Sequence, residues 1–181
     1  MLHRASLSAV LPLIAAAAIA ASAGAGSAAD RDQKLFKTAE GEWTGPGEVV
    51  AGKYKGTKFT CNFTGATPAG KVGMSLDGAC RVGLFTQKMS ASFERHGRGY
   101  KGTFMDGAAG KGLDIVSGNV DGRKVVLALN RNQLDGAMLA RLPDENTLNV
   151  TVSVRVDEEL VPVIGMSLKR SEPRAVGSVA Q

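Results

Sequence analysis

Histidine is nearly missing from this chain: of 181 residues, only His3 and His96 carry an imidazole. That removes the commonest general base and the commonest metal ligand from almost every position. Cysteine is as sparse, with Cys61 and Cys80 alone. No Cys-x-x-Cys redox or zinc spacing can be drawn from them. The 22 Lys and Arg outnumber the 17 Asp and Glu for a formal net charge of +5, yet the basic residues are spread singly. No nucleic-acid stripe forms, and no nucleic-acid partner is expected. Aromatic residues are only 5% of the chain, which limits how much bulk any core can hold.

What is present begins with a leader. Met1–Arg4 holds one Arg and one His, Leu7–Ala21 is an apolar run rich in alanine, and Ala21-Ser22-Ala23 and Ser27-Ala28-Ala29 both offer a small-x-small cleavage pattern. The run is broken by Ser8 and Pro12 and has no basic cluster after it, unlike a spanning helix of roughly 20 strongly apolar residues. Residues 1–29 therefore read as a bacterial-type secretory signal peptide, cleaved after 23 or 29. With no twin arginine and no cysteine to take a lipid, a periplasmic, soluble monomer with no transmembrane segment in the mature chain is expected. Residues 30–171 read as one domain and 172–181 as a disordered tail, given Pro173 and Gly177.

Period-two alternation dominates that domain. In Thr147–Val156, Leu148, Val150, Val152, Val154 and Val156 share one face and Asn149, Thr151, Ser153 and Arg155 the other. The same reading finds Phe59–Phe63, Val72–Leu76 and Met89–Phe93, with weaker patterns in Trp43–Val50, Tyr100–Phe104, Leu113–Val120, Lys124–Asn130, Ala137–Leu142 and Val161–Arg170. That predicts about ten strands. Turn signals separate them at Ala66–Gly70, His96–Gly99, Asp121-Gly122, Asp135-Gly136 and Pro143–Asn146. Consecutive hairpins with one apolar face each predict an all-β, antiparallel, meandering barrel, closed so that no edge is left exposed. Asp30–Ala39 is the one predicted helix, placing Leu35, Phe36 and Ala39 over a barrel end.

The short helix followed by Gly41-x-Trp43 resembles the opening of calycin-type (lipocalin-like) barrels, and GEWTGPGEV is similar to the Gly-x-Trp-x-Gly-x-Gly start of nitrobindin-like barrels. The resemblance covers about ten residues and implies that Trp43 plugs the barrel floor beneath a ligand cavity. Read without it, Trp43 is core filler and Gly45 and Gly47 are bulges. Nitrobindin-like barrels hold haem through a late histidine. Here the only candidate is His96, in a predicted turn, so no cofactor is expected. Gly-x-Trp followed by CNFTGATPAGKVGMSLDGAC also resembles Inh-type periplasmic protease inhibitors, whose short barrel carries one disulfide. The broad strand pattern resembles uncharacterised exported alphaproteobacterial proteins as well.

Cys61 shares a face with Phe59 and Phe63, and Cys80 extends the face of Val72, Met74 and Leu76. In an exported chain two inward cysteines oxidise, giving a predicted Cys61–Cys80 disulfide worth ~3 kcal/mol. A turn centred near Pro68 would set Cys61 opposite about position 75, so a bulge is expected to bring Cys80 back.

No catalytic or metal-binding constellation is expected, and the chain reads as a non-enzyme. DGAAGKG at 106–112 lacks the Ser or Thr of a phosphate loop and reads as a flexible loop. Arg95, His96, Arg98 and Lys101 form a basic tip, and Asp157-Glu158-Glu159 an acidic turn, both read as solvated charge. Two function classes stay open. One is a binding module for a small apolar ligand or envelope component, its pocket lined by Trp43, Phe59, Met74, Met89, Phe93 and Phe104. The other is an envelope structural or interaction protein, or an Inh-like protease inhibitor. Small inward residues, Gly45, Gly47, Ala91 and Gly102, suit either a cavity or a filled barrel.

Overall fold

The computed structural model of the chain describes residues 23–105, 112–132 and 134–171. A helix, α1 (Ala23–Thr38), precedes ten strands: β1 (Gly41–Val49), β2 (Lys58–Ala66), β3 (Gly73–Val82), β4 (Phe85–His96), β5 (Gly99–Met105), β6 (Leu113–Asp121), β7 (Lys124–Arg131), β8 (Leu134–Asp144), β9 (Thr147–Val156) and β10 (Glu159–Arg170). Each strand pairs antiparallel with the next, and β1 pairs with β10, so the sheet closes into a barrel. The alternation explains the closure. In β9, Leu148, Val150 and Val152 are buried while Asn149, Thr151 and Ser153 lie half-exposed outside. Rolling the sheet buries ten such apolar faces against one another.

One end of the barrel is covered by α1. Its Leu35 and Phe36, and Ala39 just beyond it, are buried. The Phe36 ring meets Phe93 and Tyr100 edge-on at 5.5 Å each, and those two rings meet each other at 5.8 Å. Asp32 on the same helix accepts hydrogen bonds from the Tyr100 hydroxyl (2.6 Å) and from Arg95 (3.2 Å). At the helix C-terminus the last carbonyls have no partners within the helix. Arg170, at the end of β10, donates to the carbonyls of Thr38, Glu40 and Glu145, and its guanidinium lies 4.4 Å from the Trp43 ring centroid. The cation thus lies where the helix dipole is negative.

Burial, and then the bond to Asp32, hold the Tyr100 hydroxyl protonated far above the ordinary tyrosine range. Ionisation is therefore favoured in the unfolded chain, and the barrel loses stability as pH climbs past the ordinary tyrosine value of about 10. Chemical denaturation across that range should show a decline that Tyr100→Phe diminishes. An identical decline in the variant would contradict this.

Several expectations need correcting. The helix begins at Ala23, not Asp30. Asp135-Gly136 is not a turn but lies inside β8. The chain reverses at Asn132, whose φ of 55° is a left-handed conformation that asparagine tolerates better than most residues. Gly45 and Gly47 are not bulges, since β1 runs in unbroken register from Gly41 opposite Gly65 to Glu48 opposite Lys58. A Cβ at Gly45 would stand 2.2 Å from the Ser167 carbonyl oxygen, which is why no side chain is carried there. The hairpin of β3 and β4 is longer than Val72–Leu76 and Met89–Phe93 suggested, turning only at Gly83-Leu84. The glycine-rich loop at 106–111 and the tail from 172 lie outside the described residues. Among the described residues no helix is long and apolar enough to cross a membrane.

Candidate ligand chamber inside the barrel

The cysteines sit in the wall of the barrel and form the disulfide. Cys61 on β2 stands directly opposite Cys80 on β3, and both are buried. No bulge is involved. The connection is centred near Gly70, whose φ is 70°, rather than on Pro68, and that shift aligns the cysteines. Their bridge ties two adjacent wall strands and leaves the barrel axis open.

Two spaces lie along that axis. Beneath α1 is an inner chamber of about 70 Å³, enclosed by Leu35, Phe36, Phe63, Met74, Ala91, Leu148 and their neighbours, with Ser90 as the one hydroxyl residue. Toward the opposite end is an outer chamber of about 320 Å³ between Phe59, Val82, Leu129, Leu134, Val163 and Ile164. Met89, Phe104 and Met166 line both. They form a waist between the two, and methionine's unbranched thioether is the side chain best able to shift there. The outer volume falls at the lower end of the roughly 300–1,000 Å³ typical of ligand pockets.

Glycine helps make this room. A Cβ on Gly47 would stand 2.1 Å from the Phe59 ring, so its absence lets that ring lie flat against the wall. Of the six residues expected to line a pocket, Met74 and Phe93 border the inner chamber, Met89 and Phe104 both, and Phe59 the outer. Trp43 borders neither. It is 1% exposed, and its Nε1 donates to the Ala39 carbonyl at 2.9 Å, which fixes it under the helix end as part of the floor. Leu134, Val163 and Ile164 were missed. Leu134 was hidden by reading Asp135-Gly136 as a turn. The latter two sit at a register shift between Pro162 and Ile164, where the alternation changes phase.

Among the described residues neither chamber is lined by a titratable side chain, Cys80 being held in the disulfide, and the outer one has Gln87 near its mouth. Such walls can hold an apolar molecule. His96 is exposed at the last position of β4, at the helix-covered end, and among the described residues no histidine lines either chamber. The described lining offers a haem no histidine ligand. Arg95 of the basic tip is bound to Asp32, while Lys71 and Glu94 nearby form an exposed ion pair at 2.7 Å. Among the described residues no cluster of three or more His, Cys, Asp or Glu could hold a metal ion.

No family model matches the chain, and no curated protein matches it. Among solved structures it is similar to the crystal structure of Rv2717c from M. tuberculosis, with a TM-score of 0.55 and 15% sequence identity over 78% of this chain and 98% of that one. At that identity the likeness is one of fold, the closed antiparallel barrel.

Proposed function

We propose that this protein is a non-catalytic binding module that takes a small apolar ligand into its barrel through the end opposite α1. The observation that carries the reading is the outer chamber of about 320 Å³, walled by apolar side chains and continuing toward an inner one across a methionine-containing waist. A barrel built only as a rigid body gains nothing from such a space, because unfilled apolar volume forfeits dispersion contacts. The leader read in residues 1–29 supports a periplasmic setting for this role, which the proposal assigns to a monomer and to no cofactor.

An environment-sensitive apolar dye should bind the folded protein saturably, with a stoichiometry near one. Ala91 is 7% exposed and borders the inner chamber. Enlarging it to leucine should weaken binding of any ligand that reaches past the waist, while circular dichroism shows the barrel intact. A folded wild-type barrel that takes up no dye would refute the binding reading and leave the structural or inhibitory class.

A further inference from the structure

Exposed apolar side chains are not scattered over this barrel. Among the described residues, nine of the eleven large ones, all but Val116 and Val126, sit at the end opposite α1. The most exposed are Leu84 (90%), Phe85 (83%) and Tyr54 (66%), at the tips of the adjacent β3–β4 and β1–β2 connections. Val82, Phe85, Leu134 and Val156 keep the inward phase of their strands, so the interior lining runs out past the rim into solvent. The wall is different. Outward positions of β2, Lys58, Thr60, Asn62 and Thr64, are exposed and polar, the reverse of a bilayer-spanning strand.

Charge says what covers the rim. From Val50 to Thr60 and from Arg81 to Lys88 there are five cations, Lys53, Lys55, Lys58, Arg81 and Lys88, and no acid. All five are exposed. Basic side chains flanking exposed Tyr, Leu and Phe match an anionic lipid surface, where apolar tips enter the acyl boundary and cations meet headgroups. The acids at this end lie mostly on other strands: Asp157, Glu158 and Glu159 where β9 turns into β10, and Asp114 and Asp135 at the starts of β6 and β8, with Glu48 alone on the β1–β4 side, opposite Lys58. An anionic surface would repel that larger acidic side and favour the β1–β4 side, where five cations face one acid. We propose that the mouth of the barrel docks on anionic phospholipid bilayers through the tips bearing Tyr54, Leu84 and Phe85. The inference goes beyond ligand binding and holds whether or not the chamber is filled.

The test is co-sedimentation with vesicles of phosphatidylcholine alone and of an equimolar mixture with phosphatidylglycerol. Wild type and variants share residues 1–29, so any contribution of the apolar leader is common to all. The full chain should bind the mixed vesicles better, and less so as salt rises. Leu84→Ser with Phe85→Ser should weaken binding at least about tenfold. Lys53→Gln with Lys55→Gln should weaken it by roughly 25-fold, at about fivefold per cation lost. Both pairs change exposed tips, where folding is little affected. Ala91→Leu should leave vesicle binding unchanged, which separates this proposal from the chamber's. Equal binding to both vesicles, or indifference to either pair, would overturn it. So would a concentration-dependent dimer dissolved by the serine pair, which would assign the rim to a second copy of the chain.

Discussion

Replacing Trp43 with alanine is expected to cost the barrel about 3–5 kcal/mol, the range for emptying a large aromatic site in a packed core. Few single changes would do more, because Trp43 serves three structures at once. It fills the floor at 1% exposure, its Nε1 satisfies the Ala39 carbonyl, and its ring supports the Arg170 guanidinium that closes the helix C-terminus. Against a total stability of about 5–15 kcal/mol for a typical domain, such a loss leaves the fold marginal. The denaturation midpoint in urea would report it. Trp43→Phe keeps most of the volume and loses the donor, so it should cost less than half as much. As the only tryptophan, Trp43 also reports on itself. Native emission at the wavelength of exposed indole would show that it is not in the floor.

Removing the disulfide ranks next, at ~3 kcal/mol on the loop-entropy account for a closed loop of this size. Cys61 and Cys80 are 19 residues apart in sequence and directly opposed across β2 and β3. The bridge therefore restrains mainly the unfolded chain, while its buried sulfurs also pack the wall beside Met166. Cys61→Ala with Cys80→Ala should lower the denaturation midpoint accordingly and leave the far-ultraviolet spectrum intact. Thiol titration of unreduced, denatured protein should detect no free thiol. Two titratable thiols would contradict the pairing, and an unchanged midpoint would contradict the magnitude.

All ten strands could be read in the sequence because each leaves a period-two trace even in a short stretch, as at Phe59, Cys61 and Phe63. Their lengths could not. Asp77 and Gly78 blur the β3 alternation, so the hairpin that reaches Phe85 looked shorter than it is. The asparagine that turns the chain at 132 has no glycine beside it, whereas Asp135-Gly136 has the stronger turn composition and sits in a strand. The floor residues Leu35, Phe36 and Trp43 were legible as local patterns. Their fasteners were not: Asp32 meets Arg95 and Tyr100, and Arg170 meets Thr38 and Glu40, across separations that no periodicity records. Of the chamber, the large inward residues were foreseeable, but the waist needed Met166, which only closure of β10 against β1 brings beside Cys61.

That closure sets an order of events for the folding chain. Nine of the ten pairings join sequence neighbours and can zip as local hairpins, which is the fast kind of contact to make. The tenth joins Trp43 to Arg170 across almost the whole domain. Until β10 docks on β1, the assembly is a curled sheet with two bare edges, the state most open to pairing with a stranger. Arg170 both completes the ring and clamps the helix. The folding chain therefore stays an open, adhesive ribbon until β10 docks on β1, and that one contact turns it into a ring without edges.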